Sequence, residues 1–361
     1  MMTHIFVGID LGDKNSVARI AVEREKSERC GFVNNRRGRA RFFEELKRRA
    51  EAEGGARIVM AYEASSCGFI LSDEARVKGI QCWVLAPTKM EKSVEQRKQK
   101  NDDRDADDVL EKLRAHILAG NRLPTIWIPD EQIRDDRELV RTRLELGEKQ
   151  TQVKTQIQML LKRQGWEKPS DLGGSWSVKY RRWLLALTEM ESLGWGLRQA
   201  LSSLLRQLSS IEDEIRRIQE TVEELARKAR HHRFIQELTQ EQGIGLLTAL
   251  VYRTEIGFAG RFRRGRQIGK FVGLTPTSHE SGQQNDRKGH ISRQGPARIR
   301  KMLCQASWTH IRHDATAKRI YEQLISRNPK KKKIAIVAVM RRLAVRLWHR
   351  MRSVELKQAE A

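Results

Sequence analysis

Seven acidic side chains fall at three places in the N-terminal third of the chain. Asp10 ends the apolar segment at 4–10, Glu63 lies near the end of the segment at 57–65, and five aspartates crowd into residues 102–108. Two carboxylates about 5 Å apart repel by roughly 3 kcal/mol at an effective dielectric near ~20. A divalent cation relieves that repulsion, and Mg²⁺ prefers oxygen ligands. We therefore predict a Mg²⁺ site, with two ions placed for in-line phosphoryl transfer.

The aspartates between 102 and 108 offer more than one set of ligands. On a helix, Asp102 and Asp105 share a face at a spacing of three, and so do Asp105 and Asp108. Asp103 and Asp107 share another face at a spacing of four. Spacing alone does not choose among these pairs. Each acid also has a structural alternative, because strand-end aspartates often close turns and acids in a first helical turn compensate the helix dipole.

The segments that carry these acids have the patterns of strands and helices in alternation. Short apolar runs rich in β-branched residues predict strands, and apolar residues at helical spacing predict helices. We predict strands at 4–10, 16–22, 57–65 and 79–87 and helices at 39–53, 68–78 and 101–120, joined to the last strand by a polar connection at 88–101. This order implies a mixed α/β sheet, and strand ends are where its site would form.

The middle of the chain has the clearest periodicity. Leucine and isoleucine recur in steps of four and three from Leu197 to Leu225, which is an a/d seam over about four heptads. We predict an antiparallel helical hairpin of 135–165 against 197–230, with the seam either inside the hairpin or between two chains. Tryptophans 166, 176, 183 and 195 are expected at its tip or as a packing bridge, with core packing favoured over stacking on RNA. His231 and His232 have no metal-binding partner nearby and are expected at the surface.

The final third changes character and becomes mainly α-helical with basic, glycine-rich connections. Residues 242–251 place a Gly-x-Gly turn before a helix, as in a helix-hairpin-helix, and KKKK at 330–333 precedes an amphipathic helix. We predict three domains, at 1–135, 136–235 and 236–361.

Composition restricts the class of partner. The chain has 361 residues, 70 Lys plus Arg against 46 Asp plus Glu, and a net charge of +24. A charge this large calls for an anionic partner, and nucleic acid is the first candidate. No apolar run is long enough to suggest a membrane span, and Asp10 and Asp13 interrupt the apolar N-terminal stretch, so a signal peptide is not expected. Four separated cysteines fit a reducing cytoplasm, with no zinc site or disulfide framework expected.

Three short segments resemble the catalytic segments of the DEDD insertion-sequence transposases, a family with a RuvC-like, RNase H-like N-terminal domain. These segments are GIDLG at 8–12, YEAS at 62–65 and DDRDAD at 102–107. The family's third segment is D-x-x-D-A, so the resemblance selects Asp102 and Asp105 as ligands together with Asp10 and Glu63. Asn101 stands where the family usually has Thr. GIDLG by itself is also found in sugar kinases and Hsp70-like ATPases.

The last third is similar to the transposase domain of the same family. GLTP at 273–276, SG at 281–282, GHISRQG at 289–295 and the helix from ARIRKML follow the family's order, with Arg293 in place of Lys. The resemblance implies that Ser281 is the nucleophile, which would form a transient phosphoserine link with DNA. Ser278 and Ser292 are the alternative nucleophiles. The resemblance further implies a non-coding bridge RNA that pairs with donor and target DNA.

Basic residues in the last third are the candidate contacts to nucleic-acid phosphates, with Phe262 and Phe271 available for stacking. The alternative is a solvated basic face, and for the lysines a solubilising loop. The candidates are Arg261, Arg263, Arg264, Arg266, Lys270, Arg287, Lys288, Arg293, Lys330, Lys331, Lys332 and Lys333. Recombination requires at least two cut sites, so a homodimer or homotetramer is expected.

Two other interpretations remain open at this stage. One is a Holliday-junction-type nuclease that uses the metal site alone, without a covalent step. The other is a nucleic-acid-binding protein with no catalysis, whose binding EDTA would leave unchanged. An ATPase of the sugar-kinase type is disfavoured, because no second phosphate-binding glycine motif is present and the net charge is high.

Overall fold

The computed structural model describes residues 3–90, 102–278, 288–327 and 329–360. The chain divides into two compact units, Met1–Ile128 and Pro129–Ala361. The finer division into three domains at 135/136 and 235/236 stays a prediction. The polar connection predicted at 88–101 falls mostly outside the described residues. Within the described ranges, no helix combines the length and the apolar composition that a membrane crossing requires.

The first unit is built on a five-stranded sheet with the order β3-β2-β1-β4-β5. Its strands are β1 (His4–Asp10), β2 (Asn15–Val22), β3 (Glu28–Val33), β4 (Arg57–Glu63) and β5 (Gln81–Leu85). The first three are antiparallel neighbours, whereas β4 and β5 run parallel to β1. The predicted mixed α/β sheet is confirmed. β3 has no counterpart among the predicted strands, because it is an edge strand with only Phe32 buried and so lacks an apolar pattern.

Helices cover both faces of this sheet. α1 (Arg36–Ala52) and α2 (Ile70–Val77) lie on one face, and α3 (Asp102–Ala119) lies on the other. Ile5, Val7 and Ile9 pack into the core beneath α1 and α2, whereas Phe6 packs with Leu110 of α3. Because side chains alternate along a strand, the even-numbered residues of β1 face α3. The same alternation directs the odd-numbered residues of β4 toward α3.

The second unit begins with a long antiparallel pair of helices, α4 (Glu131–Arg163) and α6 (Trp195–Arg227), with α5 (Val178–Glu189) at its tip. Glu212 of α6 accepts hydrogen bonds from Gln150 of α4 and Arg181 of α5, at 2.9 Å and 2.6–2.7 Å. These contacts and a shared apolar core confirm the predicted helical hairpin. Three of the four tryptophans pack against that core, but Trp195 is 73% exposed.

The rest of the second unit forms one larger core around the helix α12 (Lys332–Ala359), whose Trp348 is fully buried. The remaining elements are α7 (Ala229–Leu238), α8 (Leu246–Ile256), α9 (Gly265–Phe271), β6 (Pro276–Ser278), β7 (Lys288–Ile291), α10 (Ala297–His313) and α11 (Ala315–Arg327). β6 and β7 pair as an antiparallel hairpin. The mainly helical C-terminal region is confirmed, and this two-stranded hairpin is an addition to it.

The prediction that His231 lies at the surface is wrong, whereas His232 is exposed as expected. The His231 ring is fully buried, and its Nε2 lies 2.8 Å from Oδ2 of the buried Asp136. Arg230 donates two further hydrogen bonds to the same carboxylate. A buried carboxylate requires such partners, and they come from a helix that is 94–95 residues away in sequence. Sequence spacing therefore gave no sign of the pairing.

Candidate active site

Asp10 and Glu63 are brought side by side by the pairing of two parallel strands. The register of β1 and β4 places Gly8 opposite Ala61 and Ile9 opposite Tyr62, so that Asp10 and Glu63 occupy the next position at the ends of both strands. Both side chains are half-buried. By the alternation of each strand, both lie on the face that α3 covers. The structure therefore brings these two predicted site residues together.

Because Gly8 has no side chain, α3 can approach the sheet closely. A Cβ atom on Gly8 would lie 2.4 Å from the carbonyl oxygen of Ala106 and 2.4 Å from the backbone nitrogen of Leu110. No real Cβ atom tolerates such distances, so only glycine permits this contact. Gly8 is two residues before Asp10, and Ala106 directly follows Asp105. The contact therefore brings the acidic first turns of α3 to the end of β1.

The aspartates of α3 divide between its two flanks. Asp107 accepts a hydrogen bond from Nε of Arg19 on β2 at 2.7 Å, and Asp103 accepts one from Nε of Arg29 on β3 at 2.7 Å. The hydrogen bond to Asp107 raises the pKa of Arg19 and is the largest cause of that shift. The charges of Asp103 and Asp107 are thus balanced by arginines, on the side of the sheet away from β4. These two aspartates therefore have a structural role, which is to join α3 to β2 and β3.

Asp105 lies on the other flank of α3. An α-helix has 3.6 residues per turn, so a residue two positions from both Asp103 and Asp107 points to nearly the opposite side. Its side chain is half-buried. Asp102 is the first residue of the helix, but its side chain is outside the described part of the structure. Among the described side chains, no group of three His, Cys, Asp or Glu residues is close enough to hold a metal ion. Asp102, one of the four predicted ligands, is not among these described side chains.

Residues outside the predicted set fix the loop that follows Asp10. The Asn34 side chain donates to the carbonyl oxygen of Gly12 at 2.7 Å, and Arg39 donates to Asn34 at 3.0 Å. Arg39 also forms a two-pronged ion pair with Glu74 of α2. These interactions hold the β1–β2 turn against α1 and α2. Sequence patterns missed them because the polar residues involved lie on three separate elements.

The turns after β1 and β4 are also bound to each other. Oδ1 of Asp13 accepts hydrogen bonds from Oγ of Ser66 at 3.1 Å and from Sγ of Cys67 at 3.3 Å. Each of these turns follows one of the two strand-end acids. The link therefore restricts how far Asp10 and Glu63 can move apart.

Ser281, the predicted nucleophile, lies outside the described residues, as does Arg287. Lys288 begins β7, but its side chain is outside the described part. The family segments on either side of Ser281 are in contact with each other. The backbone N–H of Ser292 donates to Thr275 at 2.8 Å, and that of Arg293 donates to Gly273 at 3.2 Å. The GLTP and GHISRQG segments thus meet at the base of the β6–β7 hairpin.

The predicted phosphate contacts fall into different environments. Arg261 is half-buried, with its guanidinium 4.1 Å from the ring centre of Phe262 and 4.7 Å from that of Phe271. Burial lowers its pKa to about 10, and Phe262 is itself buried. Arg261 therefore has a structural role in the packing of α9. The other described candidates with described side chains are exposed: Arg263, Arg264, Arg266, Lys270, Arg293, Lys330, Lys331, Lys332 and Lys333.

Comparison with known proteins places the chain in a family. The sequence model of the IS116/IS110/IS902 transposase family matches residues 235–322, and a transposase model of the DEDD type of IS110 matches residues 7–164. The second match includes all four predicted metal ligands, and the first includes Ser281.

Known relatives agree with these matches. A candidate transposase of Sinorhizobium fredii, y4qE, is 27% identical over 318 residues, which are 84% of this chain and 71% of the relative. A second from that species, y4rJ, is 29% identical over 335 residues, covering 85% and 80%. The transposase for the insertion sequence element IS1111A of Coxiella burnetii is 29% identical over 130 residues, covering 36% and 35%. The chain therefore belongs to the IS116/IS110/IS902 family of transposases.

Proposed function

We propose that this transposase cuts and rejoins DNA strands at a site formed by Asp10, Glu63, Asp102 and Asp105 in an RNase H-like, RuvC-like domain. The observation that carries the proposal is the adjacency of Asp10 and Glu63 at the ends of two parallel strands, on the face covered by α3. The mixed strand order of the sheet is consistent with such a domain.

The donor set of this site suits Mg²⁺. All four residues carry carboxylates, which are the hard oxygen ligands that Mg²⁺ prefers, and these four would hold one or two ions. The close approach of α3 at Gly8 supports the inclusion of its first turns. Asp103 and Asp107 each pair with an arginine, and the match to the family's D-x-x-D-A segment supports Asp102 and Asp105 as the ligands. When bound, Mg²⁺ would stabilise negative charge on a phosphate during in-line displacement.

Ser281 is proposed as the nucleophile in the second unit. Its Oγ would attack a DNA phosphorus atom, forming a serine–phosphate ester as the bond to one deoxyribose oxygen breaks. The leaving oxygen takes up a proton and the serine proton passes to a base or to solvent, so that no oxidant or energy source is needed. Attack by the hydroxyl of another strand would reverse the reaction and complete the exchange. The match of the surrounding segment to the family supports this assignment.

A guide RNA is proposed as the source of sequence specificity. The net charge of +24 is spread along the chain and suits a partner with more phosphates than a short DNA site provides. Base pairing by a bridge RNA would remove the need for a DNA-reading helix-turn-helix. We further propose that a homodimer or homotetramer acts on donor and target DNA in the cytoplasm.

Strand exchange by the purified chain tests these proposals. With Mg²⁺, guide RNA, donor DNA and target DNA, we expect recombinant product and a covalent protein–DNA adduct. Asp10→Asn should abolish the product, and Ser281→Ala should abolish both the product and the adduct. Ser292→Ala is the matched control, because this second serine lies in the neighbouring segment and should leave both intact.

Each part of the proposal has its own contrary outcome. Full recombination by Asp10→Asn would refute the metal site. Cleavage without any adduct, unaffected by Ser281→Ala, would indicate a nuclease that uses the metal site alone. Equal activity without RNA would refute the guide. DNA binding with no cleavage in either EDTA or Mg²⁺ would indicate a non-catalytic binding protein.

A further inference from the structure

A large groove lies in the second unit beside the β6–β7 hairpin. It has a volume of about 1520 Å³ and is walled by α11, by α12 and by the hairpin itself. Ligand pockets for single small molecules usually measure about 300–1,000 Å³. The groove is therefore large enough for an extended polymer segment of several units.

The rim of the groove is positively charged. Six basic side chains line it, and none of the six has an ion-pair or hydrogen-bond partner among the described side chains: Arg293, Arg327, Lys331, Lys333, Arg341 and Arg342. A seventh, Arg346, is paired with Glu241 and Asp314. No acidic residue is among the described residues that line the groove, although the chain has 46 acids to 70 bases. Like charges that converge in a concavity favour a polyanionic occupant.

The floor of the groove is apolar. Its apolar lining residues come from several elements: Ile320 and Leu324 of α11, Val337 of α12, Ile291 of β7 and Leu274. Ile334, which also lines the groove, is 59% exposed. In duplex nucleic acid the bases are paired and stacked, so their faces cannot pack on such a surface. A single strand offers phosphates to a basic rim and unstacked bases to an apolar floor.

One rim residue packs against a neighbouring helix. The side chain of Arg341 lies against Gly269 of α9, where a Cβ atom would come within 3.0 Å of its Nε. The absence of a side chain at Gly269 therefore leaves space for the arginine stem. Arg341 is half-buried and lines the groove.

From this charge and shape we infer that the groove binds a single strand of DNA a few nucleotides long. The inference rests on the proposed function, because β6 and β7 flank in sequence the segment that contains Ser281. A strand held along this groove would be the unpaired one that is to be cut or joined.

Binding in EDTA tests the groove independently of catalysis. The full chain is titrated into a fluorescent 12-nucleotide single strand, into the blunt duplex of the same sequence and into the equivalent RNA. The triple variant Arg327→Ala, Arg341→Ala, Arg342→Ala should bind single-stranded DNA at least 10-fold more weakly, with a change below 3-fold for the duplex. Arg312→Ala with Arg319→Ala is the control, because both residues are exposed, on α10 and α11, but do not line the groove.

The apolar floor has a separate test. Ile334→Asn should weaken binding of the single strand about 5-fold but leave an abasic strand of equal length unchanged, and its exposed position avoids a folding defect. Photo-crosslinking of 5-iodouracil strands should label residues of α11 or α12.

An unchanged affinity of the triple variant for single-stranded DNA would overturn the inference. Equal losses for single strand and duplex would overturn it as well, because the rim would then be a general basic surface. A loss confined to RNA would show that the occupant is RNA. These binding measurements omit Mg²⁺, so their results do not depend on the outcome of the recombination assay. Likewise, unchanged binding by the groove variants would refute the groove proposal alone and not the proposed metal site.

Discussion

The backbone of Gly8 lies against that of Ala106, with space for a hydrogen atom but none for a methyl group. This contact joins the central strand of the sheet to the helix that begins with the acidic segment. Gly8 is two residues from Asp10, and Ala106 directly follows Asp105. The assembly of the proposed site therefore depends on one glycine that has no reactive side chain.

Gly8→Ala should destabilise the first unit and abolish strand cleavage. The added methyl group would meet backbone atoms, which cannot rotate away, so we expect a loss of about 3 kcal/mol. Urea denaturation monitored by circular dichroism measures the change. Gly31→Ala is the matched control, because its new Cβ would have no atom closer than 3.9 Å. That substitution should be neutral or stabilising by about 0.5 kcal/mol. Equal effects of the two substitutions would refute the packing argument.

Asp105→Asn and Asp107→Asn should have opposite consequences. Asp105→Asn should reduce strand cleavage at least about 100-fold with little change in stability, because a metal ligand contributes several kcal/mol to the transition state. Asp107→Asn should keep most of the activity and cost about 0.5–1 kcal/mol, since it weakens a half-exposed pair with Arg19. Cleavage rates and denaturation midpoints of both variants are compared. A severe activity loss in Asp107→Asn alone would reverse the assignment.

Substitutions of Arg261 and Arg266 should have different effects on stability and on binding, although both residues belong to one basic segment. Arg261→Ala removes the stacking of a half-buried guanidinium on two rings and should cost about 1–2 kcal/mol of stability. Arg266 is exposed, so Arg266→Ala should leave stability unchanged. If Arg266 contacts a phosphate, its removal should lower the slope of log affinity against log salt by about 1. An unchanged slope would indicate that Arg266 only solvates the surface.

His231 should make the stability of the second unit depend on pH. Burial is the main cause that lowers its pKa below the ordinary value of 6.5, although Asp136 acts in the opposite direction. As the pH falls below about 6.5, the unfolded chain takes up a proton at this residue before the folded chain does. Stability should therefore fall as the pH decreases from 7.5 to 5.5.

The variant His231→Gln keeps a donor for Asp136 but cannot titrate. It should show a smaller difference between thermal midpoints at pH 7.5 and pH 5.5 than the unaltered protein. Asp136 does not contribute in this window, because its pKa is lowered from an already acidic value: burial raises it, but hydrogen bonds from Arg230 and His231 outweigh burial. Identical pH dependence in both proteins would contradict the role of His231.

The adjacency of Asp10 and Glu63 was predictable from sequence, but the choice among the aspartates at 102–108 was not. Asp10 and Glu63 end apolar runs, and a parallel sheet places such ends together. Asp103 and Asp107 each pair with an arginine that lies 74 or 88 residues away in sequence. No local pattern reveals those partners, so the resemblance to a family had to select the pair.

In the rest of the fold, too, sequence patterns failed to predict features that depend on a distant partner element. The long hairpin was predictable because its apolar seam repeats within one helix. β3 and the burial of His231 were not, because each depends on a partner element and neither has an apolar pattern of its own. Three walls of the proposed groove come from separate elements, so its charge and floor were visible only after folding.

The position of α3 in the chain has a consequence for protein synthesis. Asp10 and Glu63 are made early, whereas the helix that carries the remaining acids is the last one of the first unit to leave the ribosome. Arg19 and Arg29, which pair with Asp107 and Asp103 of this helix, belong to strands that are synthesised before it. A nascent or truncated chain that stops before residue 102 has a sheet without the covering helix. The proposed acidic site is therefore complete only once the whole of this unit has been synthesised.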